Sequence, residues 1–421
     1  MTIIPRSAYV HIPFCRRRCY YCDFPVSVVG DRRRGENFTP IQEYVEVICK
    51  EITITKSFCQ PLETIFFGGG TPSLLSVGQL GQILEALEEK FAIVADAEIS
   101  IEMDPGTFDL KQVQGYQDLG INRVSLGVQA FQDDLLQVCG RSHNVSDIYE
   151  AVDKLHQAGI VNFSIDLISG LPHQTLAQWQ ASLEAGIAIC PTHISSYDLI
   201  VEPVTAFGRY YQAGNSPLPT DENSAQMYRM AQQSLTISGY EHYEISNYAK
   251  TNYQCGHNRV YWENIPYYGF GMGAASYLEG QRFTRPRTRK EYYQWVRSLQ
   301  DSSLDNQGIY TPNNNLENDR EFLLETLMLR FRLAEGMNLS ALSQQFGQQT
   351  VEQIWICLQP YQRLGWVEFI NPKGIATVLS DNQKPPIDGY LRFTDPEGFL
   401  FSNTVLSTLF SKLGNSISIT L

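Results

Sequence analysis

The sequence predicts an α/β protein that consists of a partial (β/α)6 barrel and a C-terminal helical, winged-helix-like domain. Apolar stretches of strand length alternate six times with amphipathic stretches of helix length over the first half of the chain. This alternation is typical of a parallel sheet with crossover helices. Glycines, carboxylates or an amide stand at the ends of several strands, where parallel sheets present their functional groups. Six units are fewer than the eight of a closed barrel, so we expect an open one.

The barrel elements follow one another closely. After a first strand that begins near residue 8, the predicted strands cover residues 63–67, 97–103, 123–129, 161–169 and 193–199. The helices between them start with one of about 18 residues from residue 39, and continue with 80–91, 110–119, 145–158 and 176–189. The pattern changes near residue 216, which ends the barrel.

We therefore divide the chain into three domains: 1–215 as the barrel, 216–310 as a barrel extension and connector, and 311–421 as the C-terminal domain. The last domain is predicted to hold three helices, at 317–333, 339–346 and 351–364, followed by strands 366–370 and 375–379 around a hairpin turn. Three helices and a hairpin are typical of a winged helix. On an acidic chain this module more often serves as a lid or docking module than as a DNA reader.

The composition is that of an ordinary globular protein with a sizeable core. The 421 residues are 43% apolar and 18% charged, and the net charge is −13. Nucleic-acid-binding proteins are usually basic, so this charge argues against that function. No apolar run reaches 18 residues, and the stretch before the first strand is too short for a signal or transit peptide. We expect a cytoplasmic protein, since thiols stay reduced there.

Three cysteines, Cys15, Cys19 and Cys22, follow the first strand with the spacing C-x3-C-x2-C. Three thiolates this close can ligate three irons of a [4Fe–4S] cluster, which normally has four cysteine ligands. No fourth cysteine follows nearby, so one iron stays open to a small chelating ligand. Zinc is the alternative, but structural zinc needs four ligands and usually two cysteine pairs. The spacing, with Tyr21 before the last cysteine, resembles the signature of radical S-adenosylmethionine (SAM) enzymes, which implies that SAM binds the open iron.

Further motifs, spread over nearly the whole chain, resemble those of the oxygen-independent coproporphyrinogen III oxidase family, radical SAM proteins of heme metabolism. They lie at residues 9–15, 68–72, 102–105, 126–129, 141, 166–172, 243–249 and 396–399. The resemblance implies a [4Fe–4S] cluster on the three cysteines and SAM as a second cofactor. It also implies contacts to SAM from Tyr9, Tyr21, Gly69, Gly70, Thr71, Glu102, Gln129, Arg141 and Asp166.

The types of these residues agree with that role. A glycine turn such as Gly69 and Gly70 lets the backbone approach a ligand closely, where a side chain would clash. A carboxylate such as Glu102 can pair with the ammonium group of SAM or bind its ribose hydroxyls. Each residue also has a structural interpretation, since Asp166 can cap a helix and Gly69 can simply turn the chain. Their shared position at the ends of successive strands favours SAM binding.

Two departures separate the chain from the oxidases of that family. Phe24 stands where the oxidases have a fourth cysteine, and only 14 residues precede Cys15. The heme-chaperone branch of the family lacks that cysteine and has a His-Asn-x-x-Tyr-Trp motif, which is present here at residues 257–262. The resemblance implies that His257 ligates heme, because a neutral imidazole is a common ligand of heme iron. Cys255 is the alternative ligand.

A heme chaperone without oxidase activity is therefore the expected function, with heme and heme-acceptor proteins as its partners. The alternative is the oxidase, which decarboxylates coproporphyrinogen III, while a radical methyltransferase has no specific support. A histidine beside aromatic residues is also common in protein cores, where it is simply hydrogen-bonded. The sequence leaves open whether the chain is a monomer or a dimer and whether it contacts a membrane peripherally.

Two arginine runs, 16–18 and 32–34, give local positive charge near the cysteines. They form either a solvated surface or a docking patch for an acidic electron donor such as flavodoxin or ferredoxin. A glycine-rich segment at residues 267–276 contains G-x-G-x-G, but no strand–helix unit of Rossmann type surrounds it. Close backbone packing is expected there rather than phosphate binding. The basic stretch 282–289 is expected to be a solvated connector.

Overall fold

A computed structural model provides the fold, and it describes residues 4–31, 35, 38–301, 319–380 and 384–416. The chain divides into two compact units. The first comprises Met1–Tyr240, Ala249–Val260 and Ile265–Asn314, and the second comprises Glu241–Tyr248, Tyr261–Asn264 and Asn315–Leu421. Within the described ranges, no helix is both long and apolar enough to cross a membrane.

The described residues form strands and helices throughout both units. The strands are β1 (Ser7–Ile12), β2 (Phe14–Cys15), β3 (Ser27–Val28), β4 (Leu62–Gly69), β5 (Ile93–Met103), β6 (Arg123–Gln129), β7 (Phe163–Ser169), β8 (His193–Asp198), β9 (Glu241–Glu244), β10 (Asn247–Ala249), β11 (Tyr268–Phe270), β12 (Ala275–Leu278), β13 (Gln281–Thr284), β14 (Met337–Asn338), β15 (Val367–Ile370), β16 (Ala376–Thr377) and β17 (Tyr390–Phe393). The helices are α1 (Thr39–Ile54), α2 (Val77–Phe91), α3 (Leu110–Asp118), α4 (Asp133–Val138), α5 (Val145–Ala158), α6 (Leu176–Ala188), α7 (Ala206–Tyr210), α8 (Asp221–Ile237), α9 (Gly256–Trp262), α10 (Arg289–Asp301), α11 (Asp319–Arg330), α12 (Leu339–Phe346), α13 (Gln348–Arg363), α14 (Glu397–Leu400) and α15 (Ser402–Ser416).

Seven strands of the first unit lie side by side in the order β11-β1-β4-β5-β6-β7-β8. Every neighbouring pair in this series is parallel. Six of the strands follow chain order and are separated by helices, which confirms the predicted partial (β/α)6 barrel. The seventh, β11, lies beside β1. The sequence did not indicate it because its three residues are too few to show a strand pattern.

Branched apolar side chains from these strands form the core of the first unit. Each of the six barrel strands contributes at least one that is completely buried: Val10, Ile65, Ile101, Leu126, Ile165 and Ile194. Burying such a side chain contributes about 1.5–3 kcal/mol relative to leaving it in water. Among the connecting helices, α2 and α5 begin at capping boxes formed by Ser76 and Asn144. The strand ends that carry the site therefore rest on a well-anchored scaffold.

The described part of the second unit contains three helices followed by a hairpin, as predicted. Helices α11, α12 and α13 precede β15 and β16, which pair antiparallel. The turn between the two strands is held by Asn371, whose Oδ1 accepts hydrogen bonds from the backbone N–H groups of Lys373 and Ile375. Strand β17, which pairs with both β14 and β15, was not predicted from the sequence, and neither were the final helices α14 and α15.

The basic stretch 282–289 is solvated at Arg282 and Arg287, as its charge suggested, but not at Arg285. Arg285 is buried and forms an ion pair with Glu51 of α1, with 2.8 Å between Nε and Oε1. The expectation was wrong for Arg285 because it relied on local charge alone. The partner carboxylate lies 234 residues earlier in the chain, where no local pattern could reveal it.

Candidate functional site

A cavity of about 500 Å³ opens at the carboxyl ends of the barrel strands. Most of the residues that the sequence predicted as cluster or SAM contacts line it: Cys15, Cys19, Tyr21, Cys22, Gly69, Gly70, Thr71, Glu102, Gln129, Arg141 and Asp166. In the part of the chain that the structure describes, Tyr9 and His257 are not among the lining residues. The others meet because the loops after parallel strands share one edge of the sheet.

The three cysteines lie in the loop that connects β1 and β2 to β3, which we call the cysteine loop (residues 15–26). Backbone hydrogen bonds hold its two ends together. The Ser27 N–H donates to the Pro13 carbonyl at 2.6 Å, and the Val29 N–H donates to the Cys15 carbonyl at 2.8 Å. All three cysteines are free and half-buried. One short, backbone-anchored segment therefore presents three thiols to the cavity.

The three thiols are compatible with the ligand set of a cubane cluster. Within the described residues, no three His, Cys, Asp or Glu side chains converge as a site for one ion. Each thiolate of a cubane cluster binds a different iron, so convergence on one point is not needed. Burial raises the pKa of Cys15 to about 12 and also raises the pKa of Cys22. Burial therefore favours the protonated form of both thiols. Coordination to a metal ion deprotonates a thiol, so iron binding would reverse this preference.

The glycine turn after β4 packs against the end of β1. The Gly70 N–H donates to the Ile12 carbonyl at 2.8 Å, and a β-carbon at Gly70 would lie 2.8 Å from the same oxygen. Gly69 has a φ of +108°, and a β-carbon there would overlap the His11 ring. The close approach of two strand ends therefore requires glycine at both positions. The same two residues line the cavity, so the turn brings bare backbone to the site.

Glu102, near the end of β5, accepts a hydrogen bond from the Gly69 N–H at 2.9 Å. Burial raises the pKa of Glu102 to about 8, and the charge of Asp166 adds to this increase, whereas the bond from Gly69 opposes it. Asp104 also raises the pKa. A carboxyl group with this pKa is largely protonated at neutral pH, and a cationic ligand would favour its charged form.

Arg141 connects the cysteine loop to the strand ends. Its Nη1 donates to Cys19 Sγ at 3.3 Å and to the Tyr21 hydroxyl at 3.4 Å. Its Nη2 forms an ion pair with Asp104 and donates to the Gly127 carbonyl at 2.8 Å. A planar guanidinium with partners on two nitrogens has a fixed orientation. Arg141 therefore positions Cys19 and Tyr21 relative to the carboxyl ends of β5 and β6.

Gln129 of β6 and Asp166 of β7 also line the cavity. Gln129 ends β6 with a φ of +69°, which is unfavourable for a residue with a side chain. Such backbone strain is concentrated at functional sites. Asp166 of β7 accepts a hydrogen bond from the Ser125 hydroxyl, with 3.2 Å between Oγ and Oδ1. Burial raises the pKa of Asp166, while hydrogen bonds from Ser195 and Ser125 act in the opposite direction.

The cavity also includes residues that the sequence analysis did not predict. Ser125 and Asp198 line it, and Ser169 donates a hydrogen bond to Asp198. Burial raises the pKa of Asp198, and the bond from Ser169 opposes that increase. Asp198 could have been predicted from its place at the end of a barrel strand, because it ends β8 as Gln129 ends β6. Ser125 lies in the middle of its strand, and the sequence carries no comparable signal for it.

Tyr9 belongs to the packing around the glycine turn. Its hydroxyl is hydrogen-bonded to His11 Nδ1 at 3.1 Å, and its ring stacks on Phe66 with 6.3 Å between the ring centroids. A β-carbon at Gly68 would lie 3.0 Å from the Tyr9 ring. Tyr9 therefore contacts the turn that lines the cavity and is not itself among the lining residues.

His257 is completely buried near the start of α9. Its Nδ1 is hydrogen-bonded to Thr64 Oγ1 at 2.8 Å, and its ring stacks on Phe66 with 5.4 Å between the ring centroids. Burial lowers the pKa of His257 to about 3, so the imidazole is neutral at physiological pH. The side chain is therefore part of the core of the first unit.

The start of α9 is fastened to Glu98 of β5. The Glu98 carboxylate accepts hydrogen bonds from the backbone N–H groups of Gly256 and His257, at 3.0 and 3.1 Å. It thereby caps the helix N-terminus, where backbone N–H groups otherwise lack partners. The Cys255 sulfur lies 3.7 Å from Glu98 Oε1 and is also buried. Both heme ligands suggested by the sequence thus lie inside the protein.

Comparisons with known proteins agree with this fold and site. The model of the Radical SAM superfamily matches residues 9–185, and that of the HemN C-terminal domain matches residues 318–372. Coproporphyrinogen III oxidase (HemN) from Escherichia coli has the same fold: the TM-score is 0.75, with 22% identity, over 96% of this chain and 90% of that one. The protein is therefore a radical SAM protein, and its domain implies a [4Fe–4S] cluster and SAM.

Its relatives narrow the class to one family. The heme chaperone HemW of Synechocystis sp. is 47% identical over 98% of both chains. The heme chaperone HemW of Bacillus subtilis is 33% identical over 81% of this chain and 87% of its own. The chain belongs to the HemW family.

Proposed function

We propose that this protein is a heme chaperone of the cytoplasm, which binds a [4Fe–4S] cluster, SAM and heme and transfers heme to acceptor proteins. The observation that carries the proposal is Phe24, which lines the cavity two residues after Cys22 and is 53% exposed. The resemblance to the oxidases of the family implies that a fourth cysteine occupies this place in them. The names of the relatives support the same function.

Cys15, Cys19 and Cys22 are the proposed cluster ligands, since they combine three thiols with one backbone-anchored loop. When bound, the cluster and SAM together supply one-electron chemistry. The proposed contacts to SAM are Tyr9, Tyr21, Gly69, Gly70, Thr71, Glu102, Gln129, Arg141 and Asp166. All of them except Tyr9 line the cavity, and Tyr9 packs against the glycine turn. In this arrangement the carboxylates attract and orient a cationic ligand, and Arg141 holds the middle cysteine in place.

We propose His257 as the heme ligand on the basis of its motif. The neutral imidazole is the form that binds iron, and a hydrogen bond such as that to Thr64 commonly orients a metal-binding histidine. The burial of His257 adds a condition, because heme can reach the ring only if the residues packed around it move apart. The start of α9, which carries His257, is held in place by Glu98. Heme binding is therefore expected to be coupled to a movement of this helix.

Heme titration of the anaerobically reconstituted chain, with and without SAM, tests this proposal. His257→Ala is expected to weaken heme binding by at least about tenfold and to shift the Soret band, while the cluster absorbance stays intact. His156 is an exposed histidine of α5, so His156→Ala is the matched control and should behave as the parent. Unchanged heme affinity in His257→Ala would move the ligand elsewhere, with Cys255 as the first alternative. Turnover of coproporphyrinogen III by the parent would replace the chaperone with the oxidase.

We further propose that an acidic electron donor such as flavodoxin or ferredoxin docks beside the cysteine loop. Arg17 and Arg18 are exposed and line a second cavity of about 570 Å³, whose other lining residues include the acidic Asp133. Asp31 lies 3.5 Å from Arg17 and neutralises part of this charge. The second arginine run, 32–34, lies outside the described residues.

Reduction of the cluster by flavodoxin, measured across a range of ionic strengths, tests the docking surface. The rate is expected to fall as salt rises, because screening weakens long-range attraction between opposite charges. Reversing the charge in Arg17→Glu and Arg18→Glu should lower the rate at low salt, whereas Arg297→Glu, an exposed arginine of α10, should not. A rate that responds neither to salt nor to these reversals would leave only a solvated arginine surface.

A further inference from the structure

The glycine-rich segment that follows β11 packs against the cysteine loop, a contact that the proposed function does not use. A β-carbon at Gly273 would overlap Pro25, which lies three residues after the last cysteine. A β-carbon at Gly271 would lie 2.7 Å from the His11 carbonyl oxygen. The chain at residues 271–273 therefore touches both the end of β1 and the outgoing part of the cysteine loop.

Tyr44 of α1 connects the end of β1 to the glycine-rich segment by hydrogen bonds. Its hydroxyl donates to the His11 carbonyl at 2.7 Å and accepts from the Met272 N–H at 2.9 Å. His11 is in turn hydrogen-bonded through Nε2 to the Pro25 carbonyl at 3.1 Å. Tyr44 is buried, so loss of its hydroxyl would leave polar groups without partners and without water.

Glu51 lies two turns after Tyr44 on α1, and its completely buried carboxylate holds the glycine-rich segment in place. Its oxygens accept hydrogen bonds from the Gly271 N–H at 2.8 Å, Arg285 Nε at 2.8 Å and the Tyr292 hydroxyl at 2.6 Å. Arg285 Nη1 also donates to Ser276 Oγ at 2.5 Å. A buried carboxylate is tolerated only while such donors compensate its charge, so these groups hold one another in place.

A second contact to the cysteine loop comes from the residues after β13. Arg287 Nη2 donates to the Asp23 carbonyl at 3.1 Å. The Gly273 N–H donates to the Pro286 carbonyl at 3.0 Å, which ties the two ends of the segment together. Residues 271–287 thus meet the outgoing part of the cysteine loop at two places, Asp23 and Pro25.

We infer that residues 271–287 form a clamp that positions the cysteine loop, and with it Cys22, for cluster binding. The inference rests on the proposed ligation of the cluster by Cys15, Cys19 and Cys22. Asp23 follows Cys22 directly, so a displacement at Asp23 moves the third thiol relative to the other two. Metal sites need their ligands held within a fraction of an ångström, which is why supporting residues decide whether they form.

Two glycine variants test the clamp. Gly273 and Gly280 have nearly equal φ values, +75° and +76°, so alanine strains the backbone similarly at both. Only Gly273 faces Pro25, whereas nothing lies within 4 Å of a β-carbon at Gly280. In the full chain without its cluster, Gly273→Ala is expected to speed hydrogen exchange of the Ser27 and Val29 amides by roughly tenfold, which corresponds to about 1.4 kcal/mol. Gly280→Ala should leave both rates as in the parent.

The reconstituted protein gives a second measurement. Gly273→Ala is expected to shift the midpoint potential of the cluster and to speed its loss to a chelator several-fold, and Gly280→Ala is not. Equal exchange rates and equal potentials in the two variants would overturn the clamp. If the parent bound no cluster, the proposed function would fail, but the exchange comparison would still test the clamp.

An arginine pair provides the test if Gly273→Ala does not fold. Arg287 and Arg297 are both exposed, and Arg287 donates to the Asp23 carbonyl. Arg297 lies on α10 and serves as the control. Arg287→Ala is expected to speed exchange of the two loop amides and chelator-induced loss of the cluster, and Arg297→Ala is not. Identical behaviour of the two arginine variants would contradict the clamp.

Discussion

Arg141 and Cys19 are hydrogen-bonded across 122 residues of chain, with 3.3 Å between Nη1 and Sγ. The same guanidinium forms an ion pair with Asp104, so one side chain connects a proposed cluster ligand to the end of β5. Hydrogen bonds to cluster sulfurs are among the features that set a cluster's reduction potential. The stability of this pair and the properties of the cluster are therefore expected to change together.

Arg141→Met should lower the free energy of unfolding of the cluster-free chain by about 3–5 kcal/mol, because it leaves the Asp104 carboxylate largely buried without its partner. Urea unfolding measures the loss. The double variant Asp104→Asn/Arg141→Met is the control and should recover part of it, since the uncompensated charge is gone. A single variant as stable as the parent would show that the ion pair is not needed.

Serine at Cys15, Cys19 or Cys22 should abolish the broad visible absorbance of the reconstituted cluster, because the hydroxyl is a poor replacement for a thiolate ligand. Iron and sulfide analysis of each variant checks the result. Cys59→Ser, at an exposed cysteine outside the loop, is the matched control and should keep full cluster content. Full cluster content in Cys19→Ser would refute the assignment of the ligands.

Glu102 should make stability fall with rising pH. Because its pKa is raised from 4.5 to about 8, the folded protein binds this proton more tightly than the unfolded chain does between these values. The contribution to the free energy of unfolding is therefore fully present below pH about 4.5 and is lost as pH rises through about 8. Glu102→Gln removes this titration. The free energy of unfolding of the parent should therefore fall relative to that of the variant as pH rises over this range. Urea unfolding at several pH values measures it, and a constant difference would contradict the raised pKa.

His257→Ala should destabilise the chain by about 2–4 kcal/mol in the absence of heme, because it removes a buried ring and a hydrogen bond to Thr64. Thr64→Val keeps the ring and removes only the bond, so a smaller loss of about 1–3 kcal/mol is expected. Thermal and urea unfolding measure both. If neither variant lost stability, His257 would not be held in the core as the structure shows.

The succession of barrel strands and helices, the three-cysteine loop and the glycine turn can be predicted from local sequence patterns. The apolar pattern of a strand repeats every two residues and that of a helix every three to four, so both are visible in a short window of sequence. The β6 bounds, Arg123–Gln129, match the prediction at both ends for this reason. The cysteine spacing is equally local, because one loop carries all three thiols.

Which residues meet depends on how distant segments of the chain pack together. Arg285 looks like a surface charge in the sequence, yet it pairs with Glu51 inside the protein. His257 looks like an accessible ligand, yet Thr64 and Phe66 enclose it in the core. In each case the outcome depends on a contact with a residue remote in sequence, or on burial of the side chain. Local sequence patterns show neither the contact nor the burial, because these arise only when distant segments pack and exclude water.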